Sequence, residues 1–155
     1  MNPQNTFSSG GHRTVGEIVG TNHLRFHTRQ NGLGIAVLLL STHTPGAPVV
    51  DRTGRFVGFI SEFDVLKALA AGKDLHQLTA EDLMVKDRVA VTGSTTIAEA
   101  VKIMENHRFL NLPIENDGIV VGCVTRHDLL EAWIGIGLGI ESENNEQDGR
   151  ERESS

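Results

Sequence analysis

Ser61 and Asp64 stand three residues apart at the end of an apolar run, and Thr125 and Asp128 repeat the arrangement. The full match sets Gly58-Phe59-Ile60-Ser61-Glu62-Phe63-Asp64-Val65-Leu66 against Gly122-Cys123-Val124-Thr125-Arg126-His127-Asp128-Leu129-Leu130. Each copy reads as a strand that breaks at a hydroxyl residue and continues as a helix. Two kinds of chemistry fit such a turn. In the first, Ser61 and Thr125 are N-caps and each aspartate returns a bond to the cap's own amide, a capping box that contributes about 1 kcal/mol. In the second, the amides and positive dipole end of the helix start hold a phosphate, to which the hydroxyl also donates. An acidic side chain one turn on then accepts from both hydroxyls of a ribose. Phosphate plus ribose means a nucleotide, and on local chemistry alone both readings stay open.

The elements that must position these residues follow from the repeat. Pro48 and Pro113 recur at a spacing of 65 residues, as do Glu17-Ile18 and Asp82-Leu83, whereas Asp64 and Asp128 recur at 64. The lost residue falls between Asp51-Arg52-Thr53-Gly54 and Glu115-Asn116-Asp117-Gly118, polar segments ending in Gly that suit a hairpin loop. Leu24-Arg25-Phe26 and Val89-Ala90-Val91 read as short strands. Ile97, Ala100, Val101 and Met104 have the spacing of an amphipathic helix, opened by Thr96 and Glu99 as a capping box. Leu33 to Leu40 is too short and uniformly apolar to separate strand from helix, and the second copy decides for helix. A helix apolar all round must be covered all round. Pro113-Ile114 and Ile119–Val124 form a hairpin, followed by a helix from Arg126 to Ile134. The expected fold class is α/β (α+β), built from two pseudo-symmetric β-α-β-β-α repeats. Their bounds are 14–72 and 79–140, joined by a linker at 73–78, with a flexible tail at 1–13 and an acidic disordered tail at 141–155.

Neither half, about 60 residues long, buries much apolar surface alone, so the two share a core. A hydrophobic fraction of 39% with one Cys excludes a disulfide framework. No apolar stretch approaches a membrane span, and Met1–Arg13 lacks the apolar core of a signal peptide; a cytoplasmic location and no membrane partner are expected. The net charge of −6 is concentrated in residues 141–155, which hold six acidic and two basic residues. The remainder is nearly neutral without a basic cluster, which argues against nucleic acid. His23, His27, His107 and His127 lack a carboxylate or thiolate set at ligand spacing, so no metal site is expected. Cys123, inside an apolar strand, reads as a small buried hydrophobe. There is no Walker-type loop and no nucleophile–base–orienter set, so no catalytic residue is assigned and no enzyme is expected.

The repeat resembles a tandem pair of CBS domains, named after cystathionine β-synthase. The matching features are Ala47-Pro48-Val49 and Leu112-Pro113-Ile114, the two Gly-apolar-apolar-Ser/Thr-x-x-Asp turns, and the order of elements. The resemblance covers about Thr14 to Ile134. It implies two repeats packed about a pseudo-two-fold axis, with clefts that bind adenosine derivatives such as AMP, ADP, ATP or S-adenosylmethionine. Carried over by position, Asp64 and Asp128 bind ribose hydroxyls and Ser61 and Thr125 meet phosphate. Groups near Ala47, Pro48, Val49, Leu112, Pro113 and Ile114 enclose the adenine, and segments around His23–Arg25 and Arg88–Ala90 close the other side. The second copy offers Arg126, Arg88 and Arg108 where the first has Glu62, His23 and His43. Arginine pairs with phosphate in bidentate fashion, so the Asp128 site is expected to bind more tightly. The resemblance also implies a flat homodimer, with Leu38-Leu39-Leu40 and Ile134–Ile140 as its apolar contacts, and a regulatory role toward an unknown protein target. No cofactor is obligatory. The alternative is an oligomerisation or interaction scaffold whose clefts are empty.

Overall fold

The computed structural model describes residues 9–18 and 22–135. The first half contains β1 (Phe26–His27), α1 (Gly32–Thr42), β2 (Gly46–Val50), β3 (Phe56–Ser61) and α2 (Glu62–Ala70). The second contains α3 (Ala80–Leu83), α4 (Ile97–His107), β4 (Asn111–Asn116), β5 (Ile119–Thr125) and α5 (Arg126–Ile134). In the first sheet β1 is parallel to β2, and β2 is antiparallel to β3. In the second, β4 and β5 form the antiparallel pair, and the third position is a single parallel bridge from Val91 to Ile114. The strand expected over Val89-Ala90-Val91 is therefore reduced to one residue, and the one expected over Leu24-Arg25-Phe26 starts two residues later. These segments cross between the halves and meet a sheet only at their ends.

The expected helix over Leu33–Leu40 forms as α1. Asn31 caps it, its side chain accepting from the Leu33 amide at 3.0 Å. Both first helices end in the same way, at His43 after α1 and at Arg108 after α4, each in the left-handed region. The hairpin tips differ as the lost residue requires. Asp117 and Gly118 make a two-residue turn with φ of 52° and 82°, the sign pattern of the tightest hairpin turns. In the longer first loop Asp51 Oδ1 accepts from the Thr53 hydroxyl and amide and from the Arg55 amide. The hydroxyl bond is the main cause that holds its carboxyl below the usual range.

The two cores are built from exchanged segments. Val15 packs with Val91, Ile97, Leu112 and Val124 in the second core, while Leu75, Ala80 and Leu83 pack with Phe26, Ile35 and Val49 in the first. The backbone shows the same exchange: the Ile97 amide donates to Arg13 O at 2.8 Å, and the Gly32 amide donates to Leu78 O at 2.8 Å. The sequence bounds 14–72 and 79–140 mark the repeated units, but each unit's leading segment lies on the other unit. Residues 9–12, placed in the flexible tail by sequence, form a 3-10 turn whose Gly10 and Gly11 are buried against Trp133. Residues 75–77 of the linker form another 3-10 turn, with Leu75 buried. The tail at 141–155 and the stretch at 136–140 lie outside the described residues. Val50, Phe56 and Val120 form a third cluster that joins the halves.

Candidate functional site

Both aspartates form the capping box. Asp64 Oδ2 accepts from the Ser61 amide at 2.8 Å and its hydroxyl at 2.9 Å, while the Asp64 amide donates to Ser61 Oγ at 3.2 Å. Asp128 Oδ2 accepts from the Thr125 amide at 2.9 Å, and the Asp128 amide donates to Thr125 Oγ1 at 3.1 Å. The two readings of the motif are compatible, because the cap uses one oxygen of each carboxylate. A carboxylate has lone pairs on both oxygens. Asp64 Oδ1 lies 3.7 Å from Lys67 Nζ, an exposed ammonium that adds little to stability. Among the described residues Asp128 Oδ1 has no partner.

The copies differ at the hydroxyl. The Ser61 hydroxyl donates its hydrogen bond to Asp64, whereas Thr125 makes no such bond among the described residues and its hydroxyl remains a donor. The helix starts offer fewer amides than the sequence suggests. The Glu62 and Arg126 amides donate back to Pro45 O and Leu110 O, tying each helix to the loop before its own first hairpin strand. With the Asp64 and Asp128 amides committed to the caps, a phosphate there depends on hydroxyl and side-chain donors as much as on backbone.

The exchanged segments define what borders each helix start. Val85 and Phe59 exchange two backbone bonds of 2.9 Å, and Asn22 and Cys123 exchange bonds of 3.1 and 2.7 Å. The segment that leads into the second repeat therefore lies along the strand ending at Ser61, and the segment that leads into the first lies along the strand ending at Thr125. On the Asp64 side two hollows share Val85. One, of 240 Å³, is lined by Asp64, Lys67, Lys73, Asp82 and Met84. The other, of 100 Å³, is lined by Phe59, Asp87, Val89, Phe109, Asn111 and Pro113.

The remaining expected site residues fall into three groups. Ala47, Pro48, Val49, Leu112 and Ile114 are buried in the strands, with Ala47, Val49, Leu112 and Ile114 in the two cores, so those side chains face their own repeat. Pro113 lines the smaller hollow. His23 and Arg88 are exposed on the two crossing segments. Arg108 and Arg126 line a 650 Å³ apolar groove between α4 and α5 with Val101, Met104, Leu130 and Trp133. Arg88, Arg108 and Arg126 thus do not converge in any one described cavity. Sequence reasoning missed Phe59, Phe109 and Asn111. A signal was present: at the equivalent positions of the other copy stand Cys123, Thr44 and Gly46, all smaller.

Cys123 is buried beside this machinery. Burial, and then the negative charge of Asp128, push its thiol up to about 12. Among the described residues no three His, Cys, Asp or Glu side chains are grouped to hold a metal ion, and no helix is long and apolar enough to cross a membrane.

Comparison with known proteins agrees with this geometry. The CBS domain family model matches residues 32–71 and 80–135. Arabinose 5-phosphate isomerase of Pseudomonas aeruginosa is 31% identical over 116 residues, covering 66% of this chain and 36% of the isomerase. A 17.7 kDa protein of Acidianus ambivalens is 37% identical over 89 residues, covering 57% of this chain and 53% of that protein. The matches thus span about half or less of these relatives' own length. Among solved structures, CBSX2 of Arabidopsis thaliana in complex with AMP superposes with a TM-score of 0.66 at 25% identity, covering 77% of this chain and 95% of CBSX2. The CBS domain pair of protein MJ0100, in complex with 5′-methylthioadenosine and S-adenosyl-L-methionine, superposes with a TM-score of 0.66 at 26% identity, covering 75% of this chain and 95% of that one. With the family model matched in both repeats and the fold of a CBS pair, this chain belongs to the CBS-domain family.

Proposed function

We propose that this chain is a regulatory module that senses an adenosine nucleotide (AMP, ADP or ATP) in the clefts beside Asp64 and Asp128. The observation that carries the reading is the divided carboxylate: each aspartate uses Oδ2 for its cap, so that Oδ1, unpartnered among the described residues at Asp128 and near only the exposed Lys67 at Asp64, is available to a ribose hydroxyl. The adenosine compounds held by CBSX2 and the MJ0100 pair support that ligand class. The Asp128 cleft binds more tightly. Thr125 retains a proton for phosphate there, and Arg126 follows it where the first copy has Glu62. A cationic guanidinium favours a phosphate that a carboxylate opposes.

Regulation then follows from differential binding. A nucleotide that touches a crossing segment of one repeat and the helix start of the other stabilises one arrangement of the two. The arrangement is read by a second copy or by a protein target through the helices. A thermal-shift series with AMP, ADP and ATP tests the proposal. A ligand at 100 times its Kd adds about 2.7 kcal/mol of stability, which moves the melting temperature by several degrees. No shift with any of the three favours the scaffold alternative.

A further inference from the structure

The groove between α4 and α5 is apolar along its length and cationic at one end. Val101 and Met104 of α4 and Leu130 and Trp133 of α5 line it. Val101 is 38% exposed and Leu130 63%, so among the described residues nothing covers them. Arg108 caps the C-terminus of α4, and Arg126 begins α5. The Arg126 amide donates to Leu110 O, which brings both arginines to the same end. Against these two charges the groove sets one carboxylate, that of Glu105. Among the described residues neither guanidinium pairs with a carboxylate.

The other end of the groove lies at Trp133, two residues before Gly135. Gly135 ends α5 in the left-handed region, with φ of 105°, and its amide donates to Glu131 O and Ala132 O. Such a cap takes the chain off the helix axis. The sequence then reads Ile136-Gly137-Leu138-Gly139-Ile140, followed by Glu141-Ser142-Glu143. In an extended chain alternate side chains share a face, so Ile136, Leu138 and Ile140 make one apolar edge. The glycines between them let a backbone approach closely. Five extended residues span about 16 Å. The nine residues of α5 span about 13 Å. A segment turned back from Gly135 therefore matches the groove in length and brings Glu141 and Glu143 to its arginine end. Residues 141–155 hold six acidic and two basic residues, the charge that this end attracts.

We propose that the groove is the docking site of this chain's own segment 136–140. Ile136, Leu138 and Ile140 form a strap against α4 and α5, latched by Glu141 and Glu143 on Arg108 and Arg126. A tethered segment is present at an effective concentration of about millimolar, which favours it over a second copy at micromolar concentration. Of the stretch 134–140 expected at a dimer contact, the strap keeps 136–140 on its own chain. Leu40, Phe63, Leu66 and Leu69 belong to the first repeat and stay open to another molecule.

Two measurements on the full chain test the strap. Trp133 is the only tryptophan, so its fluorescence reports on the groove. Leu138→Asp is expected to raise quenching of that fluorescence by acrylamide at least twofold, and Arg108→Glu with Arg126→Glu to raise it as well. Unchanged quenching in Leu138→Asp overturns the strap. The second measurement pairs Glu141→Cys with Arg126→Cys; the native Cys123 is buried. Mild oxidation is expected to join the two within one chain, at least tenfold faster than Glu141→Cys joins His127→Cys, which does not line the groove. Equal rates, or no disulfide, overturn the strap. A disulfide between two chains overturns it too, because it seats a second copy's segment in the groove. If Leu138→Asp fails to fold, the disulfide rates decide alone.

Discussion

At the residue scale, one oxygen of each aspartate closes a helix cap, and the proposed function gives the other to a ribose hydroxyl. The cap was legible in the sequence because it is local: a hydroxyl and a carboxylate three residues apart at a strand-to-helix break have few other partners. The aromatic lining of the smaller hollow was not legible, because Phe59 and Phe109 come from different repeats and meet only after the halves pack. Cys123 carries a prediction of its own. Its ordinary value is 9.0 and the folded value is about 12. Below pH about 9 folded and unfolded chains both hold the proton; above it the unfolded chain releases the proton and the folded one retains it. By linkage, stability therefore falls as pH rises from about 9 toward 12. In the native protein at pH 8 the thiol is expected to react with iodoacetamide only as fast as the chain unfolds. Rapid stoichiometric alkylation without unfolding contradicts its burial.

At the element scale, the order of strands and helices followed from the repeat. The second copy's amphipathic spacing identified α1, which its own apolar run left undecided. The exchange of leading segments did not follow. Two like segments can each pair with either of two like units, and hydrophobic pattern is the same in both arrangements. Crossing also explains why Leu24-Arg25-Phe26 and Val89-Ala90-Val91 yield so little strand: most of their length runs between units. Gly58 shows how the crossing is accommodated. A Cβ there would lie 2.5 Å from Met84 Sδ and 3.0 Å from Val85 O, so the crossing segment fits only over a bare backbone. Overpacking of this kind costs about 1–3 kcal/mol. Gly58→Ala is expected to lower the melting temperature by several degrees and to weaken binding in the Asp64 cleft, because Val85 borders it. An unchanged melt contradicts the packing.

At the scale of the whole molecule, three helices leave large apolar side chains exposed. Of the expected Leu38-Leu39-Leu40 contact, Leu39 is in the core and Leu40 is 68% exposed. Phe63, Leu66 and Leu69 on α2 and Leu130 and Ile134 on α5 are exposed as well. Exposed apolar side chains mark an interaction surface where they are contiguous. A homodimer through these helices predicts that light scattering gives twice the chain mass at micromolar concentration, and that Leu40→Glu combined with Leu130→Glu gives a folded monomer. A monomeric wild type contradicts it. Titration calorimetry with AMP on the wild type, Asp64→Ala, Asp128→Ala and the double variant reads the two aspartates themselves. Expected are binding to the wild type, at least a tenfold loss in the Asp128→Ala chain's overall affinity, a smaller loss in the Asp64→Ala chain, and none left when both are changed. AMP binding that survives the double substitution, or a wild type that binds no AMP, contradicts a ribose-binding role for them.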